Sequence, residues 1–254
     1  MYHLYIGEIG YSSEANHHVM GGSIVNSKEM KRINDEITKL KKQYFETVYV
    51  DLKGLGNQKR KFFHNLGYNP FFEMELKEIE QFADKIFNIL KNTNLTFLAS
   101  IINKDEFYSK KRHYQTDIPD LYYISFKFLV EKFDLYLQEI QENGQIHIEL
   151  DNQQLRENIE NAHQQCQLLD NYGDKLVNLI DSCHIVYGDR NNFTQIAELF
   201  VNSVFKCIEY GKNECYDRYK NMIYSEKNNI RLGYGIQYYP SDILDIGSKY
   251  LDKL

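Results

Sequence analysis

Three acidic residues lie where α/β proteins often build functional sites. Glu8 ends an apolar stretch that begins at Tyr2, Asp151 ends the segment QIHIELD, and Glu198 lies in a segment with helical spacing. Ligands bind at the carboxyl ends of strands in open α/β sheets, and a carboxylate there is costly to bury unless it is paired or bound to a metal. One interpretation is a shared site for Mg²⁺ or Mn²⁺, which prefer oxygen ligands and can activate water for phosphodiester hydrolysis.

The same acids have a second interpretation that the sequence leaves open. A glutamate at the end of a strand can simply face solvent, and an aspartate after a strand often caps a turn or a helix. Asn152 and Gln153, directly after Asp151, suit such a cap. A metal site and a set of unrelated solvated acids are both compatible with patterns this short.

A polar stripe on the predicted helix around Glu198 favours the metal site. Gln195, Glu198 and Asn202 recur at helical spacing beside an apolar face. If this helix is largely buried, the stripe needs a partner, which a cation shared with the strand-end acids provides. The apolar face consists of Phe193, Ile196, Ala197, Phe200, Val204 and Cys207.

The succession of strand-like and helix-like segments predicts one α/β domain with helices on both faces of a sheet. Short apolar runs predict strands over residues 2–8, 17–25, 46–54, 95–102, 145–151 and 181–188. Helical periodicity predicts helices over residues 28–45, 75–91, 120–141, 152–169 and 192–211, the last with Asn192 as its cap. Residues 104–120 are predicted as a polar connection, and the Tyr-rich segment from residue 213 as irregular, with LGYGIQYYP as a loop.

Size, charge and cysteine usage narrow the class of protein. The 254 residues fit one large domain or one domain with an appendage. The net charge of -6 excludes a global basic field, so any nucleic-acid surface must be local. The chain start does not resemble a signal peptide, no apolar run approaches a membrane span, and the four cysteines form no C-x-x-C pair of the zinc-binding kind. We expect a cytoplasmic protein with reduced thiols and no membrane association.

One basic cluster is a candidate surface for nucleic acid. Lys53, Lys59, Arg60 and Lys61 follow the predicted third strand and directly precede two phenylalanines. Basic side chains beside aromatic rings can bind phosphates and stack bases. Such charge runs are also common on solvated loops, and the sequence does not decide between the two.

Several short motifs, taken in order, resemble a known bacterial family, domain of unknown function 3800. LYIGEIG followed by HHVMGGSIV is similar to its opening, a strand ending in Y-I-D-E-S-G and then a strand with a G-G pair. Further along, VDLKG resembles its E-x-K segment, IHIELD its strand ending in Asp, and YGDRNNFTQIAELF its D-S and Q-x-A-D segments. The similarity spans most of residues 1–210.

The resemblance implies a ribonuclease-H-like fold, with a mixed sheet, helices on both faces and a helical insertion. We expect this domain over residues 1–212, with a Tyr-rich C-terminal extension, residues 213–254, packed on it. The implied activity is hydrolysis of DNA or RNA with Mg²⁺ or Mn²⁺ as cofactor, in phage defence or mobile-element biology. The implied partners are nucleic acid and a protein of such a system.

Carried over residue by residue, the resemblance assigns catalytic roles to Glu8, Asp151 and Glu198, which match the signature Glu, the strand acid and the helix Asp. The same three acids would hold the metal, with Asp51 as a further candidate ligand. Asp189 matches the Asp of the D-S segment. The candidate substrate-binding residues are Lys53, Lys59, Arg60 and Gln195, of which Gln195 matches the helix Gln.

The sequence departs from the family at a central position. Gly7 stands where the family has Asp, Ile9 and Arg190 stand where it has Ser, and Glu198 is one methylene longer than Asp. Because neighbouring strand residues point to opposite faces, Glu8 cannot replace the missing acid unless a bulge or a strand end occurs at Gly7. The alternative function is therefore a catalytically degenerate protein of the same fold that acts as a binding or assembly partner.

Overall fold

The structure is a computed structural model of the chain. It describes residues 1–11, 14–56, 62–63, 67–114, 120–149, 157, 159–160, 176–180, 183–186, 191–225 and 234–239. Several residues singled out from the sequence lie outside the described residues: Lys59, Arg60, Lys61, Asp151, Asn152, Gln153, Asp189 and Arg190. The predicted helix over residues 152–169 also falls almost wholly outside them.

Strands and helices alternate along most of the described chain. The strands are β1 (Tyr2–Ile9), β2 (His17–Asn26), β3 (Phe62–Phe63), β4 (Gly67–Tyr68), β5 (Thr96–Asn103), β6 (Gly144–Ile148), β7 (His184–Ile185) and β8 (Ile236–Tyr239). The helices are α1 (Ser27–Phe45), α2 (Lys53–Gly56), α3 (Leu76–Lys91), α4 (Lys104–Tyr114), α5 (Leu121–Ile140) and α6 (Asn192–Tyr210). Short 3₁₀ turns occur at Pro70–Phe72, Tyr216–Arg218 and Lys220–Met222.

Six of the described strands form one mixed sheet in the order β7-β6-β1-β2-β5-β8. β2 is antiparallel to both of its neighbours, β1 and β5, whereas β6 is parallel to β1, β7 to β6 and β8 to β5. All of these strands except β2 therefore end at the same edge of the sheet. Strands β3 and β4 form a separate hairpin.

The sheet is covered by helices on both faces, as predicted. On one face α6 packs against β1 and β2, with α1 and α3 in the same core; on the other face α5 packs against β5 and β2. Alternate residues of each strand supply the two cores: Tyr5 and Val19 face α6, while Leu4, Ile6 and Met20 face α5. Burying each large apolar side chain stabilises the fold by about 1.5–3 kcal/mol.

Helix α6 approaches the sheet unusually closely at two cross-strand glycines. Gly7 of β1 pairs with Gly21 of β2. A Cβ added at Gly7 would lie 2.7 Å from Glu198 Cγ and 3.0 Å from the Glu198 backbone N, and one at Gly21 would lie 3.0 Å from Val201 Cγ2. Glycine is needed at residue 7 because the backbone and side-chain stem of α6 already fill the position of its side chain.

Three predictions of secondary structure were wrong. Residues 46–54 form no strand: α1 ends with Glu46 in the left-handed region (φ 58°), and the chain then turns into the short helix α2. The polar connection begins as helix α4, because Asn103 Oδ1 accepts a hydrogen bond from the Glu106 N at 3.1 Å and so caps it. The segment LGYGIQYYP contains strand β8, in which Ile236 and Tyr238 enter the core.

The cap of α6 was also predicted one residue too late. Asn191 accepts hydrogen bonds from the backbone N of Phe193 and of Thr194, at 2.9 and 3.3 Å, and is the true cap. Asn192 is buried and bonds to Lys41 instead. Two adjacent asparagines make this choice invisible to a sequence pattern.

Candidate functional site

Four ionisable side chains meet beside the carboxyl ends of β1 and β6. We call them the carboxylate–lysine cluster: Asp51, Lys53, Glu149 and Glu198. Lys53 Nζ lies 2.5 Å from Glu198 Oε1 and 4.0 Å from Glu149 Oε2, and Asp51 interacts electrostatically with Lys53 and Glu198. The cluster draws on three distant segments of the chain, so tertiary packing alone assembles it.

Strand register places Glu149 in the cluster. Ile148, the last residue of β6, pairs with Ile6 of β1, so Glu149 follows at the level of Gly7. Side chains alternate along β6, which puts Glu149 on the same face as His147, toward α6. Glu149 directly follows the last residue of β6 and precedes Asp151, which lies outside the described residues, by two positions.

A local turn at the start of α2 places the other two members of the cluster, Asp51 and Lys53. Asp51 Oδ1 accepts a hydrogen bond from the Lys53 backbone N at 2.8 Å, an arrangement typical of aspartate at the start of a turn or helix. Lys53 then extends from the first position of α2 to Glu198, while α2 itself contacts α6. Packing of α2 on α6 therefore brings the lysine to the acid.

The electrostatics of the cluster are dominated by crowded acids. Burial raises the pKa of Glu198 to about 8, although Lys53 acts in the opposite direction. Burial alone would lower the pKa of Lys53, but the carboxylates of Glu198, Glu149 and Asp51 outweigh it and raise that pKa above its ordinary value. Lys53 therefore stays charged, and the acids around it outnumber the positive charge that it supplies.

Replacing Lys53 with methionine is expected to destabilise the protein in a pH-dependent way. The folded-state pKa of Glu198, already raised above its ordinary 4.5, rises further without the ammonium. A raised carboxyl pKa costs stability as pH rises through it, so the deficit of the variant grows above about pH 8. Lys53 is about a third exposed, so we expect only about 1–2 kcal/mol at pH 9 and less at pH 6, measured by urea denaturation.

The double variant Lys53→Met, Glu198→Gln is the control for this prediction. It removes both charges while keeping the shapes of the side chains, and replacing a buried pair by neutral groups is often tolerated. Because it lacks the titrating carboxyl of Glu198, its stability should depend less on pH between pH 6 and pH 9 than the stability of wild type or of Lys53→Met. An equal deficit for Lys53→Met at both pH values would contradict the assignment of Lys53 as the counter-charge of Glu198.

A second buried lysine holds α1, α6 and the loop before α2 together. Lys41 Nζ donates hydrogen bonds to Asn192 Oδ1 and to Gln195 Oε1, both at 2.7 Å. Gln195 Oε1 also accepts a hydrogen bond from the Leu52 backbone N at 3.3 Å. Burial lowers the pKa of Lys41 to about 8, with Asp51 acting in the opposite direction. Gln195 thus fixes the segment that carries Asp51 rather than pointing into open space.

Glu8 lies on the opposite face of the sheet from Glu198. β1 pairs regularly with β2 as far as Ile9 and Val19, without a bulge at the preceding residues. Glu8 therefore points toward α5, where its Oε2 is 3.7 Å from His18 Nδ1 and its side chain is 35% exposed. The alternation of strand residues predicted that Glu8 could not replace the acid missing at Gly7 in a strand without a bulge. The regular register of β1 shows that the strand has no bulge there.

The surroundings of Glu8 are sparsely charged. Burial raises the pKa of Glu8 to about 7, and Lys53 acts in the opposite direction. Burial also lowers the pKa of His18 to about 3, so this histidine is neutral near pH 7. Tyr11 donates a hydrogen bond to Asp120 Oδ2 at 3.0 Å nearby. Glu8 can exchange a proton near neutral pH at the edge of the cluster.

His147 is a packed histidine. Its Nε2 is 2.9 Å from His3 Nδ1, its ring stacks on Tyr5 with centroids 4.6 Å apart, and it stacks on His184 across the neighbouring strand. Burial lowers the pKa of His147 to about 4. His3, His147 and His184 thus contact one another on neighbouring strands, next to the end of β6 that carries Glu149.

The carboxylate oxygens of the cluster are of the type that binds a hard divalent cation, but the described residues do not form a complete set of ligands. In the described part of the chain, Glu198 Oε2 is buried and has no hydrogen-bond partner. Its neighbours Asp51 and Glu149 are also oxygen donors of the type that Mg²⁺ and Mn²⁺ prefer. Among the described residues, however, no three side chains of His, Cys, Asp or Glu are placed to hold one ion. A full ligand set therefore needs Asp151 or a shift of these carboxylates.

The structure brings together only part of the predicted site. Glu198, Asp51 and Lys53 converge, and Gln195 supports them from behind. Glu149 and Lys41 were missed. The alternation of β6 was a usable signal for Glu149, because residues 149 and 151 share one face of an alternating strand. No sequence signal separated Lys41 from the exposed lysines of α1.

The chain is a mixed α/β protein with a carboxylate–lysine cluster at the edge where most of its strands end. Comparison with models of known protein families and with curated proteins finds no match. None of the helices in the described ranges combines the length and the apolar character needed to cross a membrane.

Proposed function

We propose that the protein is a divalent-metal-dependent phosphodiesterase of ribonuclease-H-like type that acts on DNA or RNA. The observation that carries this proposal is the convergence of Asp51, Lys53, Glu149 and Glu198 at one edge of the sheet. Even while Glu198 is protonated, Asp51 and Glu149 outnumber the one ammonium of Lys53 in a partly buried place. A divalent cation balances such an excess.

The strand arrangement supports the ribonuclease-H-like assignment. Three strands that are adjacent in the sheet, β1, β2 and β5, are antiparallel to their neighbours. β6 and β7 come later in the chain and pair in parallel on the side of β1. Folds of this class have the same order in their central strands. The family resemblance of the opening motifs, domain of unknown function 3800, points to the same class and to phage defence or mobile-element biology.

Each residue of the cluster has a role in this proposal. Glu198, Glu149 and Asp51, together with Asp151, would hold the ion, which when bound supplies a water of lowered pKa. Lys53 neutralises charge on a phosphate oxygen, and Gln195 keeps the loop before α2 in register with α6. Glu8, on the opposite face of the sheet from Glu198, takes no part in holding the ion in this proposal.

The test is cation uptake together with strand cleavage by the full chain. Calorimetric titration with Mn²⁺ is expected to show binding that is abolished in Asp151→Ala. Labelled single- and double-stranded DNA and RNA should be cleaved with Mn²⁺ or Mg²⁺ and left intact with EDTA. A folded protein that takes up no Mn²⁺ and cleaves none of the four substrates would refute the enzyme.

A second candidate function is a catalytically degenerate protein of the same fold that binds a nucleic acid or a protein partner. The observation that favours it is the absence of space for an acid at Gly7, where Glu198 fills the position of a side chain. Lys53 already supplies Glu198 with a positive charge at 2.5 Å. Nucleic-acid binding without Mn²⁺ uptake or cleavage is the result that selects this function.

A further inference from the structure

A cavity of about 330 Å³ opens next to the carboxylate–lysine cluster. It lies between α3, α6, the end of α2 and the turn that follows α6. Its volume is at the lower end of the range for small-molecule sites, which suits one ring system rather than a long chain. None of the roles assigned above uses it.

The cavity continues the polar stripe of α6. Gln195 bonds to Lys41, Glu198 to Lys53, and Asn202, the third member, lines the cavity. Residues four apart on a helix are about 6 Å apart along its axis and share a face. Leu55 of α2, two residues after Lys53, lines the cavity from the other side. The cluster and the cavity therefore lie about one helical turn apart along α6.

The walls combine flat apolar surface with polar groups at the rim. Ile79 and Phe87 of α3 and Leu199 of α6 form the apolar part, and Asn202 supplies an amide. The hydroxyl of Ser203 already donates a hydrogen bond to the Phe200 backbone O at 2.6 Å. The apolar wall with this amide suits a planar ring with hydrogen-bonding edges, since apolar faces accept the ring and an amide can pair with its edge.

Tyr219 also contributes to the wall of the cavity. Tyr219 lines the cavity, is 1% exposed, and its hydroxyl has no hydrogen-bond partner among the described residues. Burial raises the pKa of Tyr219 above its ordinary value, so this hydroxyl stays protonated. This hydroxyl is itself fully buried, so Tyr219 contributes its ring to the wall of the cavity and not a hydrogen bond to a ligand.

The charges at the rim disfavour a second phosphate in the cavity. Lys206 and Arg218 are opposed by Glu80 and Glu214, which also line it. Arg218 is in addition paired with Asp84 at 2.7 Å and lies over the Phe87 ring. A neutral ring in the cavity matches this balance of charge, and a phosphate at Lys53 requires the divalent cation of the proposed function to offset the acids around that lysine.

We propose that the cavity receives one unstacked base of a single-stranded nucleic acid whose neighbouring phosphate lies at Lys53, with Asn202 pairing to the edge of the base. This inference rests on the proposed function, because it takes Lys53 as the phosphate contact. It adds the substrate class: single strands or frayed ends, in which a base is free to leave the stack.

Fluorescence anisotropy with labelled single-stranded ten-nucleotide DNA and RNA strands, in Ca²⁺ buffer with strand integrity checked on gels, tests the inference. Ala83→Trp fills the cavity from α3, and Asn88→Trp places the same side chain on the exposed face of α3 as the matched control. We expect Ala83→Trp to weaken binding about tenfold, or about 1.4 kcal/mol, and Asn88→Trp to bind like wild type. An abasic strand of equal length should bind wild type about tenfold more weakly.

A second variant covers the case in which Ala83→Trp does not fold. Asn202→Ala leaves the cavity open and is expected to reduce the differences in affinity among the four homopolymer strands. Equal binding of abasic and normal strands, or equal affinity of the two tryptophan variants, overturns the inference, as does a wild type that binds no single strand. Base-dependent binding without cleavage keeps the inference and rejects the enzyme, whereas cleavage without base dependence does the reverse.

Discussion

Glu198→Gln should lower the rate of metal-dependent cleavage by more than about 100-fold. Mutating residues that only hydrogen-bond to metal ligands already lowers metal affinity or activity about 10–100-fold, and Glu198 is proposed as a ligand itself. Glutamine keeps the length and shape of the side chain but removes the charge that Lys53 contacts at 2.5 Å and that a cation needs. Glu198 Oε2 is buried and has no hydrogen-bond partner among the described residues, so this oxygen is free to bind a cation. The measurement is the initial rate of cleavage of a labelled strand at saturating Mn²⁺.

The control for this prediction is Glu131→Gln on α5. Glu131 is likewise a partly buried glutamate with a raised pKa, caused first by burial, and it pairs with Lys127 at 3.7 Å. It belongs to a helix on the other face of the sheet, so its loss should leave cleavage within about twofold of wild type. Equal rates for Glu198→Gln and wild type would remove Glu198 from the catalytic site and with it the proposed metal centre.

Gly7→Ala should lower the free energy of unfolding by about 2–3 kcal/mol, the upper part of the range for overpacking a core. The new Cβ would lie 2.7 Å from Glu198 Cγ and 3.0 and 3.1 Å from the backbone N and Cα of Glu198. Two of these three atoms belong to the backbone of α6, so the helix itself must move. The φ angle of Gly7 is not in the left-handed region, so packing rather than backbone strain causes the loss.

The double variant Gly7→Ala, Glu198→Ala separates the two sources of this cost. Glu198→Ala removes the Cγ at 2.7 Å and leaves the backbone contacts, so it should recover part of the stability but not all of it. Chemical denaturation of the four proteins gives the coupling free energy. A Gly7→Ala protein as stable as wild type would show that α6 yields easily and that an acid could be accommodated at this position.

Gly7→Asp then distinguishes an active from a degenerate site. Restoring the family's signature acid places a third carboxylate against Glu198, so the variant combines the steric cost of alanine with added charge. Should Gly7→Asp remain folded and cleave strands that the wild type leaves intact, the natural site is degenerate. If it only unfolds the protein, Gly7 serves the packing of α6.

Helical periodicity and apolar runs identified α1, α3, α5, α6, β1, β2 and β5 because each of these elements buries one complete face or is covered on both. The same reasoning failed where burial follows from distant partners. Val50 and Leu52 look like part of a strand, yet they enter the core from a loop, and Tyr238 looks like part of a loop, yet it enters the core as an edge strand.

The candidate site divides in the same way. The sequence showed the types of residue that could carry the chemistry. These are an acid at the end of a strand, an acid and a lysine two residues apart, and an acid on a buried helix. Their grouping was not, because the meeting of Lys53 with Glu198 and Glu149 depends on how α2 and β6 pack against α6. A linear pattern contains no measure of those separations.

The sequence by itself determined the α/β class, the alternation that sends Glu8 to one face and Gly7 to the other, and the identity of most of the ionisable groups. Only the tertiary structure decided which acids meet. It placed Glu149 beside the end of β1 through the Ile148–Ile6 pair, and it set α6 so close to Gly7 that Glu198 fills the space of a side chain there. The physical reason is that side-chain periodicity is local, whereas strand pairing, charge balance and close packing depend on residues far apart in the chain.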